Sequence, residues 1–423
     1  MLKFFSYCIG LGSRGGSVEL IANNRWGRWF LLGLTVLVAS GCAATITREP
    51  VPEQLVSDAR VPGLSNIRVW GDEAGGNLRQ FLREEAPRIR ARMASLPNSQ
   101  VLTNHILALS GGADDGAFGA GLLVGWTARG NRPQFSVVTG VSAGALIAPF
   151  AFLGSEYDPQ LEAIFKQFSG RNIYQVHLLS GLLGGSALAD SAPLAALIAR
   201  YVDDPMVARL AQERGNGRLL IIGTTNLDAQ RPVYWDIGKI AQSGGPEATN
   251  LIRSVLLASA SIPGVFPPVN VRVVAGGASF EEMHVDGGPT REVFLAPYDF
   301  SFREFDRVLG RKVNRHLWVI RNGKLDPEYQ AVKETTVAIS LRALETLTKY
   351  QSIGDLGRMY FSARTDGMDF NLMSIPPSFS APRPQPFDQA YMEALFNTGV
   401  SMGRAGVPWA KVPPGVLAPG RRS

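Results

Sequence analysis

Three short segments hold residue types that could do chemistry together. Gly140-Val141-Ser142-Ala143-Gly144 lies between the apolar runs FSVVTG and ALIAPFAFLG. A serine on a sharp strand-to-helix turn points its Oγ away from the sheet, and the flanking glycines remove side chains that would crowd the turn. The N-terminus of the following helix adds backbone N–H groups and a dipole that favours negative charge. Gly111-Gly112-Ala113-Asp114-Asp115-Gly116 opens an earlier helix. Small residues there let backbone N–H groups approach a ligand oxygen, as phosphate loops and oxyanion holes both require. The Gly-Lys-Ser/Thr ending and GxGxxG are both absent, and Asp114 and Asp115 would repel phosphate, so beside an elbow serine the oxyanion hole is the economical reading. His284-Val285-Asp286-Gly287-Gly288 ends a third segment. Its aspartate can either meet Ser142 at the edge of the sheet or cap a Gly-Gly turn.

These segments need a scaffold that brings them to one edge. ILALS, the glycine loop and the apolar LLVGWTARG form one strand–loop–helix unit, and FSVVTG, GVSAG and ALIAPFAFLG form a second. Two such units in succession predict βαβ connections and a parallel sheet, hence an α/β fold. Further strands are expected at Arg218–Leu227, VRVVAG and His316–Gly323, and a long helix over Val332–Ser362. The stretch Leu178–Val202 holds Asp190 and Pro193 and reads as a core helix or as a lid or wall beside the site.

The ordered set SGGADDGAFGAG, GVSAG, ASASIPGVFPPV (Ala258–Val269) and HVDGGP resembles the patatin-like phospholipases. The resemblance covers roughly residues 104–325 and implies a three-layer α/β fold with a mostly parallel central sheet. It implies a serine acyl hydrolase acting on lipid carboxylic esters, with Ser142 as nucleophile and Asp286 as its base in a Ser-Asp dyad. The oxyanion hole would be the backbone of Gly111, Gly112 and Ala113, and IPGVFPP would shape the wall near the acyl site. No metal or organic cofactor is implied. Two residues depart from the family pattern: Ala113 stands where a third glycine is usual, and Asp115 where a cation is usual. An anion near the mouth should disfavour an anionic phosphate headgroup.

Two rival readings compete with the dyad. Chain order permits a triad of Ser142, Asp286 and His316, although His316 opens an apolar strand far from the end of the chain. A lipid-binding lipoprotein without turnover is the other.

The amino terminus reads as an address. Arg25 and Arg28 precede an apolar run from Trp29 to Ala39, too short for the roughly 20 residues of a membrane-spanning helix but suited to a secretory signal. Ala39-Ser40-Gly41-Cys42 resembles a bacterial lipobox, which implies lipidation of Cys42 and anchoring at a membrane surface in the bacterial envelope, with Ala43 favouring the outer membrane facing the periplasm. The expected division is a signal peptide at 1–41, a tether at 42–65, a helical extension at 66–103, the hydrolase domain at 104–410 and a tail at 411–423.

Composition agrees with a globular enzyme: 45% hydrophobic and 18% charged residues allow a sizeable core. About half of the net charge of +6 lies before residue 42, where Lys3, Arg14, Arg25 and Arg28 stand against Glu19, and no long Lys/Arg block follows, so nucleic-acid binding has little support. Cys8 and Cys42 are the only cysteines, and the four histidines are scattered, which excludes a disulfide framework and leaves no metal-ligand spacing.

Overall fold

A computed structural model describes residues 48–73, 83–87, 91, 102–167, 175–176, 189–297, 300–310 and 312–416. The expected signal segment, Cys42 and residues 177–188 lie outside the described residues. Among the described residues, no helix is long and apolar enough to cross a membrane.

The strands are β1 (Arg68–Trp70), β2 (Leu102–Leu109), β3 (Val137–Gly140), β4 (Gln175–Val176), β5 (Ala189–Asp190), β6 (Leu219–Asn226), β7 (Arg231–Asp236), β8 (Val269–Ala275), β9 (Ala278–Asp286), β10 (Val313–Arg321) and β11 (Asp369–Ser374). The helices are α1 (Gly116–Ala128), α2 (Ala143–Leu153), α3 (Asp158–Gln167), α4 (Ala192–Tyr201), α5 (Asp204–Gly215), α6 (Ile237–Ser243), α7 (Gly245–Ser259), α8 (Phe302–Leu309), α9 (Thr336–Thr365) and α10 (Gln389–Ala405).

The main sheet runs in the order β1-β7-β6-β3-β2-β10-β11. Its centre, β6-β3-β2-β10-β11, is parallel, and β1, β7, β8 and β9 are antiparallel additions at one side. Both faces are covered, as a parallel sheet requires. Along β2, Leu107 and Leu109 enter one core with Phe118, Leu122, Ile147 and Phe396. Ile106 and Ala108 enter the other, with Leu356, Met359 and Tyr360 of α9. The α/β fold expected from the paired strand–loop–helix units is observed, and so are the three layers and mostly parallel sheet that the resemblance implied.

The register of β6 decides where the chemistry sits. Its first half pairs with β3, ending at Gly140↔Ile222. Beyond that point β3 has turned away into the elbow, and the vacated edge of β6 is taken by β9, with Thr224↔Asp286. The carboxyl end of β9 is thereby delivered beside the carboxyl end of β3, the side of an open α/β sheet where ligands bind.

Residues 48–65 are not the tether expected there. Val51 and Ala59 are buried, Glu53–Asp58 forms a 3-10 helix, and Arg60 pairs with Val274 through bonds of 3.0 and 2.8 Å. The open edge of β8 offers unpaired N–H and C=O groups, and a chain that satisfies them gains more than one left extended in water. The helical extension expected at 66–103 likewise begins as sheet, because β1 pairs with β7. Residues 83–87 are helical, with Glu85 buried against Arg214 at 2.6 and 2.8 Å. The start of the expected tail also packs: Val412 and Val416 touch the α9-side core.

Candidate active site

Ser142 adopts φ 53° and ψ −125° between β3 and α2. Holding a non-glycine residue there costs on the order of 1–3 kcal/mol, so the surroundings must enforce it. The two flanking glycines show how. A methyl on Gly140 would come within 2.6 Å of the Gly144 carbonyl oxygen, and one on Gly144 within 2.4 Å of that of Leu109. The strand and the returning helix therefore touch backbone to backbone, and the chain between them has only the tight turn left. The Ser142 N–H donates to Ser259 Oγ at 3.1 Å, and that hydroxyl donates to the Gly223 carbonyl at 2.7 Å.

Asp286 ends β9 and is buried. Its N–H donates to the Ser261 carbonyl at 2.9 Å. Its Oδ1 accepts the Gly288 N–H at 2.8 Å, whereas Oδ2 is buried without a hydrogen-bond partner. Burial raises the carboxyl pKa to about 7, against the opposing pull of the nearby Ser142 hydroxyl and the Gly288 N–H. The ASASIPGVF segment thus braces both residues, Ser259 holding the serine and Ser261 the aspartate. Sequence reasoning gave a role only to IPGVFPP, as a wall near the acyl site, and Ile262 and Phe266 of that stretch do line the pocket.

The glycine loop reaches the same place from β2. Gly112 has φ 148° and Ala113 φ 51°, the positive-φ conformation that its alanine tolerates poorly. The expected oxyanion set needs one correction. The Gly111 N–H donates to the Glu292 carbonyl at 3.1 Å, so it is not available to a ligand. Gly112 and Ala113 keep N–H groups without partners among the described residues, as does Ala143 in the first turn of α2. Asn322 fixes the loop: its N–H donates to Ser110 Oγ and its Nδ2 to the Ser110 carbonyl, both at 2.8 Å, while its Oδ1 accepts the Gly119 N–H at 3.1 Å.

The acids after Ala113 face different partners. Asp114 is buried, pairs with Arg383 and accepts the Phe387 N–H at 2.9 Å. Asp115 accepts the Tyr391 hydroxyl at 2.6 Å, and burial raises its pKa to about 6. The anion expected at the mouth is thus opposed by Arg383, a cation from much later in the chain.

A pocket starts at Ser142 and Ala113 and runs along α2 past Ala143, Leu146 and Phe150. These positions lie on one helix face, and Phe150 is about 12 Å along the axis from Ser142. Leu194, Leu197 and Ile198 of α4 form the opposite wall, so the described part of the Leu178–Val202 stretch is both helix and wall. Phe150 and Tyr201, in edge-to-face contact with ring centres 6.4 Å apart, also line it.

The histidines stand elsewhere. His316 bonds Asp369 at 2.9 Å and stacks on His105, near the start of β10 rather than its end. Ile320, four residues further on, is level with Leu109 and hence with Gly140, so His316 is roughly 13 Å below the elbow. The structure does not bring it to Ser142 and Asp286. His284 is buried between Thr224 Oγ1 and Glu282 Oε2, both at 3.0 Å.

Residues 107–297 match the family model described as Patatin-like phospholipase. Among solved structures, the chain is similar to VipD from Legionella pneumophila at 11% identity and a TM-score of 0.33, over 72% of this chain and 67% of that one. No curated protein matches the chain.

Proposed function

We propose that this chain, whose residues 107–297 match the family model described as Patatin-like phospholipase, hydrolyses lipid carboxylic esters with Ser142 as nucleophile and Asp286 as base. One observation carries the reading: a serine on a strained elbow stands at the end of an apolar pocket, next to a buried carboxylate with an unpaired oxygen.

The reaction follows from what each group can do. Ser142 Oγ attacks the ester carbonyl while its proton passes to ionised Asp286. The carbonyl oxygen becomes an oxyanion, held by the N–H groups of Gly112 and Ala113 with that of Ala143 beside them. Collapse of the intermediate releases the alcohol, which takes the proton from Asp286. Water then attacks the acyl-serine, again giving a proton to Asp286, and the acid leaves as Ser142 recovers its hydrogen.

Labelling with a fluorophosphonate tests the assignment. The wild-type protein should carry one adduct, located on Ser142 by mass spectrometry. Ser142→Ala should carry none, and His316→Ala should label like wild type. A folded wild-type protein that neither labels nor hydrolyses any p-nitrophenyl ester would overturn the reading in favour of lipid binding without turnover.

The pocket makes a second prediction. Leu146 lines it one helical turn from the nucleophile. Leu146→Trp should lower kcat/KM for a long-chain ester relative to a butyrate by at least about tenfold, the discrimination an apolar pocket achieves over a few methylenes. An unchanged chain-length profile would show that the acyl chain lies elsewhere.

A further inference from the structure

A third acid adjoins Ser142 and Asp286, and the hydrolytic sequence does not use it. Glu292 lies on the turn after β9 and is 7% exposed. Its backbone is fixed at both ends: the carbonyl accepts the Gly111 N–H at 3.1 Å, and the N–H donates to Asp355 Oδ2 at 2.9 Å. Its side chain is wedged between the glycine loop and the turn of the base. A methyl on Gly111 would meet Glu292 Oε1 at 2.5 Å and Ser142 Cβ at 3.0 Å. One on Gly288 would meet Glu292 Oε2 at 2.9 Å and Asp286 Oδ1 at 3.2 Å. The two carboxyl groups therefore converge on the same point, and one of them also touches the loop whose next two N–H groups await the oxyanion.

Two carboxyl groups sharing a dry site cannot both ionise readily. Asp286 has the Gly288 N–H and the Ser142 hydroxyl to stabilise its charge. The Glu292 carboxyl has no hydrogen-bond partner among the described residues. The charged groups facing it are Asp286 on β9, Asp355 on α9 and Arg321 at the end of β10. Arg321 is divided among several duties, donating to Ser352 Oγ at 3.0 Å and the Lys324 carbonyl at 2.7 Å while also facing Asp115 and Glu328. Asp355 is engaged by Arg291 and Arg358.

We propose that Glu292 is held as a neutral carboxylic acid, and that its ionisation lowers hydrolysis at alkaline pH by placing a second negative charge beside the oxyanion-binding loop. The inference rests on the Ser142–Asp286 reading and adds a positioning residue to it. In the neutral form Glu292 leaves the single charge of the pair on Asp286, where the base is needed. Burial, reinforced by Asp286 and Asp355 and opposed by Arg321, raises the Glu292 pKa to about 8.

The test is the pH profile of kcat/KM for a soluble short-chain ester, with an infrared measurement of the protonated-carboxyl stretch on the same proteins. Wild type should rise towards a pH of about 7, then fall about tenfold per pH unit once above about 8. Glu292→Gln should keep the acid limb and lose the alkaline one. Its ratio of activity at about pH 9.5 to that at about pH 7.5 should then exceed the wild-type ratio by about tenfold or more. The protonated-carboxyl band at about pH 7.5 should be stronger in wild type and in Ser142→Ala than in Glu292→Gln, where the partly protonated Asp286 remains. An alkaline limb unchanged in Glu292→Gln, or a band of the same strength in Glu292→Gln and wild type, overturns the proposal. If Glu292→Gln does not fold, Glu292→Asp replaces it: band and limb should shift together, and the proposal is wrong if both stay in place. Absence of ester turnover in folded wild type would sink the hydrolase reading instead, and the infrared band would still report whether Glu292 holds a proton.

Discussion

Asp286→Asn should lower ester turnover by roughly 10²–10⁴-fold, the contribution of a positioned general base, while making the protein more resistant to heat above neutral pH. Both effects come from the same burial. The carboxyl has its pKa raised from 3.8 to about 7 because ionisation strands a charge away from water. Between those two pH values the folded state keeps a proton that the unfolded chain releases, so stability falls as pH rises through the window and the full cost is present above about 7. An asparagine never ionises and avoids that cost, on the order of 2–4 kcal/mol at one pKa unit per 1.36 kcal/mol with allowance for relaxation. Thermal unfolding at about pH 8 should therefore show Asp286→Asn melting several degrees above wild type, with the difference closing towards pH 4. Turnover should fall even though Ser142 and the pocket are intact, because amide nitrogen and oxygen accept no proton from serine at these pH values. A variant that is inactive and also less stable at pH 8 would make Asp286 a structural cap instead of a base.

Gly112→Ala should cost at least about 10² in kcat with KM changed only a few-fold. The methyl would sit 2.1 Å from the Asn322 carbonyl oxygen and 2.7 Å from Asn322 Cβ, at a backbone φ of 148° that side chains rarely adopt. Asn322 cannot step aside, since its backbone N–H and both side-chain polar atoms are held by Ser110 and Gly119. The loop must move, and the Gly112 N–H moves with it. Loss of one oxyanion donor typically costs 10²–10³ in kcat. The pocket along α2 is built by other residues, so substrate binding should survive. A KM defect with kcat unchanged would remove Gly112 from the oxyanion hole.

Local patterns in the sequence made part of this candidate site legible. The elbow is legible because its requirements are local: an apolar strand, an apolar helix, and glycines where backbones must touch. The aspartate before Gly287-Gly288 was less legible, because its local pattern fitted a turn cap equally well and only the family resemblance gave it the role of base. Which N–H groups of the glycine loop stay open is a different matter, since Gly111 is occupied by a carbonyl from Glu292 far along the chain, and adjacent glycines look alike in a string. Ser259, Asn322 and Glu292 were invisible as site residues because their neighbours are set by strand register and helix packing. The cation opposing Asp114 and Asp115 was missed for that reason too, since Arg383 comes from beyond the motifs. The tether failed because proline content speaks for an extended chain but not for the vacant strand edge that an extended chain can join.

The family match ends at residue 297, whereas β10, α9, β11 and α10 all come later. Since β10 lies between β2 and β11, a fragment excised at the boundaries of the match would begin inside β2, expose the edge of the remaining Leu107 to Leu109, and remove the α9 layer that covers Ala108. Such an edge recruits any other strand it meets. It would also lose Asn322, which holds the glycine loop. The stretch that the family model matches is thus smaller than the packed unit to which it belongs, and a recombinant version trimmed to the match should be found in inclusion bodies.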